Sequence, residues 1–380
     1  MRTLVAAFLF AGLVWAGEEW LTVVRQGREA LEQGRFAEAE DQFREAQKLA
    51  LSFDDVDPRI ARAANNLAAL HHSVGRYALA EAEYRRALDW HRAHSAQPDL
   101  EAATVLSNLA AVLRAQGRLT EAEVSAREAL NQAQLLGSRA LEAQVLFNLV
   151  EVLRGQGRDN EALEIALRAF DLTEKDSLLH AHLSQALAML GLRGDRLNEA
   201  ERHQRRAVSI FEKKLSAPHP LRASAASNLG QVLVAQGRLE EARGCLESAL
   251  EQWRRTLGPG HANVAVALNN LGQWHARRGD MVEAENHLRQ AILTWEAVLG
   301  QGHPDIARAQ LNLGALFESQ GKLRGAESLY RRAFDRMESS LGASHAETAR
   351  AAVALARVWE LQKRTTEARA MRERAGAAGR

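Results

Sequence analysis

Blocks of related sequence recur along this chain at a fixed spacing, and this recurrence constrains the fold more than any other feature. The segment 227–231, Ser-Asn-Leu-Gly-Gln, returns 42 residues later as Asn-Asn-Leu-Gly-Gln at 269–273. The segment 237–242, Gly-Arg-Leu-Glu-Glu-Ala, returns at 279–284 with the same spacing. Self-similarity with a fixed period is typical of stacked supersecondary units and not of one closed core.

Each repeat contains the pattern of two amphipathic helices. In the first helix, Leu229, Val232 and Leu233 form an apolar stripe at helical spacing, and small or amide side chains occupy the other side. The second helix, from about 238 to 257, places its leucines, alanines and Trp253 on one face. Gly237 lies between the helices, as expected of a residue that readily adopts a left-handed cap. Because helices of this length are marginal alone, the pattern predicts hairpins that stack on one another.

The sequence contains nine such hairpins. A glycine, or a residue in its place, marks the turn of each hairpin: Gly34, Gly75, Gly117, Gly157, Asp195, Gly237, Gly279, Gly321 and Lys363. One alanine follows every marker after five residues and another after twelve, and this invariance within one chain indicates a shared packing requirement. The last four intervals between markers are 42 residues each. We therefore predict an all-α solenoid of about nine helix-turn-helix repeats over about residues 18–376.

Three further motifs accompany this periodicity. Asn-Asn-Leu-Ala at 65–68 and Tyr-Arg-Arg-Ala-Leu at 84–88 flank a Gly-Arg turn, and Leu-Gly-x-x-His connectors occur at 257–261, 299–303 and 341–345. Together these residues resemble tetratricopeptide repeats, specifically the 42-residue repeats of the kinesin light chain. The resemblance implies a right-handed superhelix whose first helices line a concave groove for peptide segments.

The resemblance also implies a role for the asparagine that precedes the leucine of the first helix. In that family it often bonds the backbone of a bound peptide. By position, the candidates are Asn66, Asn108, Asn148, Asn228, Asn270 and Asn312. The alternative is that each asparagine bonds the adjacent repeat and serves stacking alone. The sequence leaves both interpretations open.

Arginines predominate on the same predicted face. By helical register the face carries Arg62, Arg114, Arg154, Arg193, Arg308, Arg350 and Arg357, against Glu151, Glu318 and Glu360. Because a guanidinium pairs well with a carboxylate, the excess predicts a preference for acidic segments or a free carboxylate. The alternative is an exposed helix face whose charges contribute little to binding.

Composition and motifs exclude several other classes of function. The formal net charge is +1, which argues against broad binding to nucleic acid. No phosphate-binding loop, nucleophile elbow or metal-binding histidine pair occurs on a suitable element, so we expect neither an enzyme nor a cofactor. His219, His261, His303 and His345 recur in the connectors. Copies one repeat apart cannot share a metal ion, so we predict a helix-start role for them.

The first sixteen residues differ from the repeats. A short basic start and an apolar run from Leu4 to Val14 predict a signal peptide that is cleaved after about Ala16 and directs export, to the periplasm or the outside of the cell. The run is too short to span a bilayer. The alternative is a start helix or an uncleaved membrane tether on a cytoplasmic or membrane-associated protein.

The sequence thus predicts a non-catalytic scaffold that binds a protein or peptide partner in its groove. It predicts neither nucleic-acid binding nor stable insertion into a membrane. In the alternative, the protein is a structural component of an envelope or secreted complex and uses its convex face or its terminal repeats. Self-association through the terminal repeats is compatible with both readings, because neither end shows a clear capping helix.

Overall fold

The computed structural model describes residues 18–31, 33, 35–96 and 98–377, and all regular structure in this part of the chain is helical. The predicted signal peptide and the first turn marker, Gly34, lie outside the described residues. The chain divides into two units, Met1–Thr173 and Glu174–Arg380, called unit 1 and unit 2 below.

Unit 1 contains four helical hairpins and unit 2 contains five among the described residues. The helices of hairpins 1 to 4 are α1 (18–31) and α2 (Phe36–Ala50), α3 (Arg59–Ser73) and α4 (Tyr77–His94), α5 (Leu100–Ala115) and α6 (Leu119–Leu135), and α7 (Arg139–Gly155) and α8 (Asp159–Leu172). The helices of hairpins 5 to 9 are α9 (Leu178–Arg193) and α10 (Leu197–Lys214), α11 (Pro220–Ala235) and α12 (Leu239–Leu257), α13 (Ala262–Arg278) and α14 (Met281–Leu299), α15 (Pro304–Ser319) and α16 (Leu323–Leu341), and α17 (Ala346–Leu361) and α18 (Thr365–Ala377). The predicted all-α stack of hairpins is confirmed.

The turns between paired helices adopt the left-handed backbone that the markers predicted. Gly237 has φ of 78°, a conformation that is costly for residues with a Cβ. The two markers that are not glycine, Asp195 and Lys363, also have positive φ, at 57° and 65°. The turn geometry is therefore kept even where its preferred residue is absent.

Small residues allow the helices to approach closely. The alanines five and twelve residues after the markers are inaccessible to solvent along most of the chain, for example Ala242 and Ala249. A Cβ added at Gly272 of α13 would lie 2.7 Å from Cγ of Leu288 in α14. Around these contacts unit 2 buries Trp253 and Trp295 between successive hairpins. The invariant small residues thus set the packing distance within the stack.

The connector histidines begin first helices, as predicted. His219, His261, His303 and His345 each accept a hydrogen bond at Nδ1 from the backbone N–H two residues later, at distances between 3.1 and 3.3 Å. This contact satisfies a backbone donor that has no partner inside the helix. The periodic histidines therefore serve as helix caps.

Candidate functional site

In unit 2 two of the predicted asparagines, Asn270 and Asn312, belong to a hydrogen-bond chain across successive first helices. Nδ2 of Asn312 in α15 donates to Oδ1 of Asn269 in α13 over 2.8 Å. Nδ2 of Asn270 donates to Oγ of Ser227 in α11 over 2.9 Å, and the Asn270 side chain is almost fully buried. Nδ2 of Asn269 closes the chain by donating to Oδ1 of Asn270 over 3.4 Å. These amide N–H groups hold neighbouring hairpins together, as the stacking interpretation requires.

Among the described residues of unit 1, the same contact occurs once. Nδ2 of Asn148 in α7 donates to Oγ of Ser107 in α5 over 2.8 Å. Asn108 and Asn228 are half-buried and have no hydrogen bond to another described side chain or backbone group. Asn66 is buried, and its Nδ2 has no hydrogen-bond partner in the described part of the chain. The acceptors of these contacts are Ser107, Ser227 and Asn269, and each lies one residue before the predicted asparagine of its own hairpin. A sequence pattern that is analysed one helix at a time does not reveal this pairing.

An open cavity of about 520 Å³ lies on the first-helix surface of unit 2, and we call it the unit 2 cavity. Its apolar lining comes from five helices, α9, α11, α13, α14 and α15: Leu192, Val234, Ala235, Ala276, Leu288, Ala315 and Leu316. Its polar lining consists of Gln231, Asn270, Gln273, Arg277, Asn312 and Ser319. Two of the six predicted asparagines therefore reach this surface, and each of them donates from its Nδ2 to a neighbouring hairpin.

The side chains that are available to a ligand are ones that the sequence analysis did not select. Gln231 and Gln273 are half-buried, and neither carboxamide has a hydrogen-bond partner among the described residues. Arg277 is exposed, and none of the described carboxylates forms an ion pair with it. The signal for the two glutamines was present, because both follow the Asn-Leu-Gly motif at the 42-residue spacing.

Most of the predicted groove arginines are paired inside the protein. Arg62 binds Glu101 of the next hairpin with both Nε and Nη2, which raises the pKa of Arg62. The other pairs are Arg154 with Glu151, Arg308 with Asp305, Arg350 with Glu347, and Arg357 with Glu318. Arg114 is exposed with no ion pair among the described residues, and Arg193 lies exposed at the end of α9. The sequence analysis missed Glu101, Asp305 and Glu347 as neutralising partners.

A second set of contacts, which we call the turn clamps, joins neighbouring hairpins at their turns. In each clamp the arginine after the turn marker binds a glutamate of the preceding hairpin, with nitrogen–oxygen distances between 2.6 and 2.8 Å. The pairs are Arg76–Glu40, Arg118–Glu81, Arg158–Glu123, Arg238–Glu201 and Arg364–Glu327. The repeated Gly-Arg and Ala-Glu motifs are therefore two halves of one structural contact.

The clamp at Glu201 shows the electrostatics of these contacts. Burial alone would raise the pKa of Glu201, but hydrogen bonds from Gln236, Arg205 and Arg238 outweigh it and lower the pKa to about 2. Glu327 has a pKa of about 2 for the same balance of causes. Both carboxylates thus stay charged and accept hydrogen bonds from the neighbouring hairpin. The low pKa values of Glu201 and Glu327 therefore result from contacts that hold hairpins together.

Comparison with known proteins agrees with this architecture. The tetratricopeptide repeat family model matches residues 27–93, 101–175, 177–250, 221–292, 274–339 and 305–377. The chain belongs to the tetratricopeptide repeat family. No curated protein sequence matches it significantly. The predicted resemblance to tetratricopeptide repeats is confirmed at the level of this family.

The apo forms of NprR and RapI share the fold with this chain at low sequence identity. The apo form of the quorum sensor NprR from B. thuringiensis is 12% identical with a TM-score of 0.64, and the match covers 85% of this chain and 87% of that chain. The apo form of RapI is 13% identical with a TM-score of 0.59, with 94% and 97% covered. Nearly identical repeats of a putative kinesin light chain from Podosopora anserina are 23% identical with a TM-score of 0.42, with 54% and 96% covered.

Proteins of this repeat family are generally non-enzymatic interaction scaffolds, and the repeats of this chain fit that general description. Among the described residues, no group of three or more potential ligands is arranged to hold a metal ion. No helix in the same part of the chain combines the length and apolarity needed to cross a membrane.

Proposed function

We propose that this protein is a non-catalytic scaffold that binds an extended segment of a partner protein across the first helices of unit 2. The observation that carries the proposal is the unit 2 cavity, where Gln231 and Gln273 present uncommitted carboxamides beside apolar side chains. A carboxamide offers both donors and an acceptor, so it can pair with a peptide backbone. Of the residues predicted from the sequence, Asn312 remains a candidate contact because it is half-buried and lines the cavity.

The two glutamines are spaced suitably for this role. They lie on α11 and α13, which are equivalent first helices of adjacent hairpins. Packed helices are about 10 Å apart, which is close to the rise of three residues of extended chain at about 3.3 Å each. One extended segment can therefore pair with both carboxamides through backbone groups that are three residues apart. A preference for acidic partners is supported by Arg277 in unit 2 and Arg114 in unit 1, because both are exposed and form no ion pair with the described residues.

The experiment compares the groove with the outer surface. The unmodified protein is used to isolate its partner from an extract of the source cells, and the amount bound is then measured for two double variants. We expect Gln231→Ala with Gln273→Ala to reduce binding at unchanged helicity by circular dichroism. The control is Glu251→Ala with Arg255→Ala, which removes an exposed ion pair on α12.

The opposite result would support the alternative function. If the α12 variant loses the partner and the glutamine variant keeps it, the protein acts through its outer face, as a structural component of a complex would. We also propose export through the segment 1–16. Cell fractionation and the N-terminal sequence of the purified protein test this point: a mature chain that begins near Gly17 outside the cytoplasm supports it, and an intact cytoplasmic chain contradicts it.

A further inference from the structure

The outward face of α14 carries an apolar stripe. The side chains of Val282 and Leu293 are 72% and 64% exposed, and Asn286 and Ala297 are exposed at helical spacing from them. The buried residues of α14, such as Leu288, lie on the opposite face and pack into the stack. Because the stripe faces solvent, its apolar side chains contribute little to the core of unit 2.

The neighbouring second helices do not share this stripe. The positions equivalent to 282, 286, 293 and 297 are Glu240, Gly244, Glu251 and Arg255 on α12, and Arg324, Ser328, Asp335 and Ser339 on α16. Solvated side chains or glycine thus occupy this repeat position on both sides of α14. Among these three helices, the apolar surface is specific to α14.

Charges of opposite sign flank the stripe. Glu240 on α12 and Arg324 on α16 are exposed, and neither forms an ion pair with a described residue. Both residues lie three positions after a turn marker, as Val282 does on α14. The acidic group, the apolar group and the basic group therefore lie at the same level along three successive second helices.

This surface is complementary to itself about a two-fold axis that runs along α14. Such an axis places α14 parallel to α14 of a second copy and α12 opposite α16 of that copy. Glu240 then meets Arg324 of the second copy, and the same pair forms again on the other side. Val282, Asn286 and Leu293 each meet their own counterparts, which gives an apolar centre between charged flanks.

The alternative axis, which runs across the helices, fits less well. It makes the two α14 helices antiparallel and brings the amide of Asn286 opposite Leu293, where the amide has no partner. It also brings Arg324 opposite Ser339. In the parallel arrangement two Asn286 amides can bond each other, because each offers donors and an acceptor, and an asparagine between apolar positions fixes the register of parallel helices.

From these observations we infer that the chain forms a two-fold symmetric dimer through the outward face of α14. Further along the contact, Glu251 comes opposite Asp335 of the second copy, and Arg255 at 3.6 Å from Glu251 offsets that repulsion. The dimer uses second helices, so each copy keeps its first-helix surface for a partner. A scaffold of this kind presents two binding surfaces at once.

Sedimentation velocity of the full chain over a range of concentrations tests the dimer. Leu293→Glu should raise the dissociation constant at least about tenfold, because it buries a charge at the centre of the contact. Val282→Glu should act in the same direction. The control is Leu361→Glu, at a 54% exposed position of the last hairpin, and circular dichroism confirms that each variant keeps its helicity. A chain that stays monomeric, or a dimer that dissociates with Leu361→Glu and not with Leu293→Glu, would overturn the inference.

Exchange of charges tests the symmetry. Glu240→Arg and Arg324→Glu should each weaken self-association about tenfold, because each brings like charges together at both flanks. A mixture of the two variants should associate as tightly as the unmodified chain, since a heterodimer regains opposite charges at both flanks. A mixture that associates no better than either variant alone would contradict the proposed axis.

A disulfide across the axis tests the parallel arrangement. In a Cys245→Ser background, Asn286→Cys should form disulfide-linked dimers under mild oxidation, because helices in contact bring equivalent Cα atoms on the axis within about 7 Å. The control is Ser328→Cys, at the equivalent exposed position of α16, which lies away from the axis. Equal yields of linked dimer for the two variants on a non-reducing gel would rule out α14 as the centre of the contact.

Discussion

At the scale of single residues, one slot in the first helix holds the same amide in six hairpins and gives it different tasks. Asn270 is buried and donates to Ser227 of the preceding hairpin. Asn228, one repeat earlier, is half-buried and has no hydrogen-bond partner in the described part of the chain. The difference depends on the neighbouring helix, because an amide can join two hairpins only where the next helix places a hydrogen-bond acceptor within its reach.

This difference predicts unequal effects of the same substitution. Asn270→Ala should lower the free energy of unfolding by about 1–3 kcal/mol, because it leaves buried polar groups without partners. Asn228→Ala should change it by less than about 0.5 kcal/mol, as expected of a site without such contacts. Urea denaturation followed by circular dichroism measures both. Similar losses for the two variants would show that the hydrogen-bond chain does not stabilise the stack.

The sequence identified the repeated asparagine position of the first helices but could not decide the partner of each asparagine. Helical register places a residue on a face, but it does not say which side chain of the next hairpin lies opposite. The same limit applies to Arg62, which Glu101 of the next hairpin neutralises although Arg62 looked available in the sequence. In both cases the missing information is a contact between residues about 40 positions apart, for instance Arg62 and Glu101, at a sequence separation of 39.

At the scale of the element, the hairpin depends on a left-handed turn and on the clamp beside it. A Cβ added at Gly237 would meet no other atom, so its glycine is required by backbone conformation alone. Asp195 and Lys363 accept that conformation without being glycine. The sequence predicted these turns well, because the marker position could be read even where the residue differed.

The turns can be tested by exchange of residues. Gly237→Ala should destabilise the protein by about 1–2 kcal/mol, the cost of a left-handed conformation for a residue with a Cβ. Lys363→Gly should stabilise the last hairpin by up to about 1 kcal/mol for the same reason, less the added entropy of the unfolded chain. Thermal unfolding measures both shifts. A loss of stability in Lys363→Gly would mean that the lysine side chain contributes more than its strained backbone costs.

The clamp at Glu201 predicts a dependence on acid. Because the folded pKa of about 2 lies below the ordinary value of 4.5, the contribution of Glu201 is present above pH 4.5 and is lost as the pH falls towards 2. Glu201→Gln should lower stability at pH 7 and reduce the further loss over that window. The control is Glu199→Gln, an exposed residue with only distant ion pairs. An unchanged acid profile in Glu201→Gln would contradict the assigned pKa.

At the scale of the whole molecule, stability accumulates from contacts between neighbouring hairpins within each unit. The number of hairpins and the identity of their buried alanines followed from the sequence, since repetition reports packing directly. The unit 2 cavity did not, because it arises where side chains at one repeat position are short or apolar, such as Ala276. A vacancy of this kind becomes visible only when adjacent helices are placed side by side.

Four buried or half-buried histidines predict that the stability of the protein is sensitive to mild acid. Burial lowers the pKa of four histidines below the ordinary value of 6.5: His71, His72, His180 and His203. These four histidines therefore bind more protons in the unfolded chain than in the folded chain as the pH falls below 6.5, and their contribution to stability decreases through that value.

The prediction is a lower melting temperature at pH 5.5 than at pH 7.5. His72→Gln should reduce this difference, because it removes one of the groups that gain a proton on unfolding. His94→Gln, at an exposed position near the end of α4, serves as the control. A melting temperature that does not depend on pH in this range would contradict the assignment of the four histidines.

The hydrogen-bond chain in unit 2 has a consequence for how such a protein can lengthen. The hairpin of residues 262–303 carries an acceptor, Asn269, and a donor, Asn270, in consecutive positions. A tandem duplication of this segment would place the new donor against an identical acceptor, so the seam between copies would already be compatible. Genes that encode such self-matching modules can grow or shrink by whole units without first evolving a new interface.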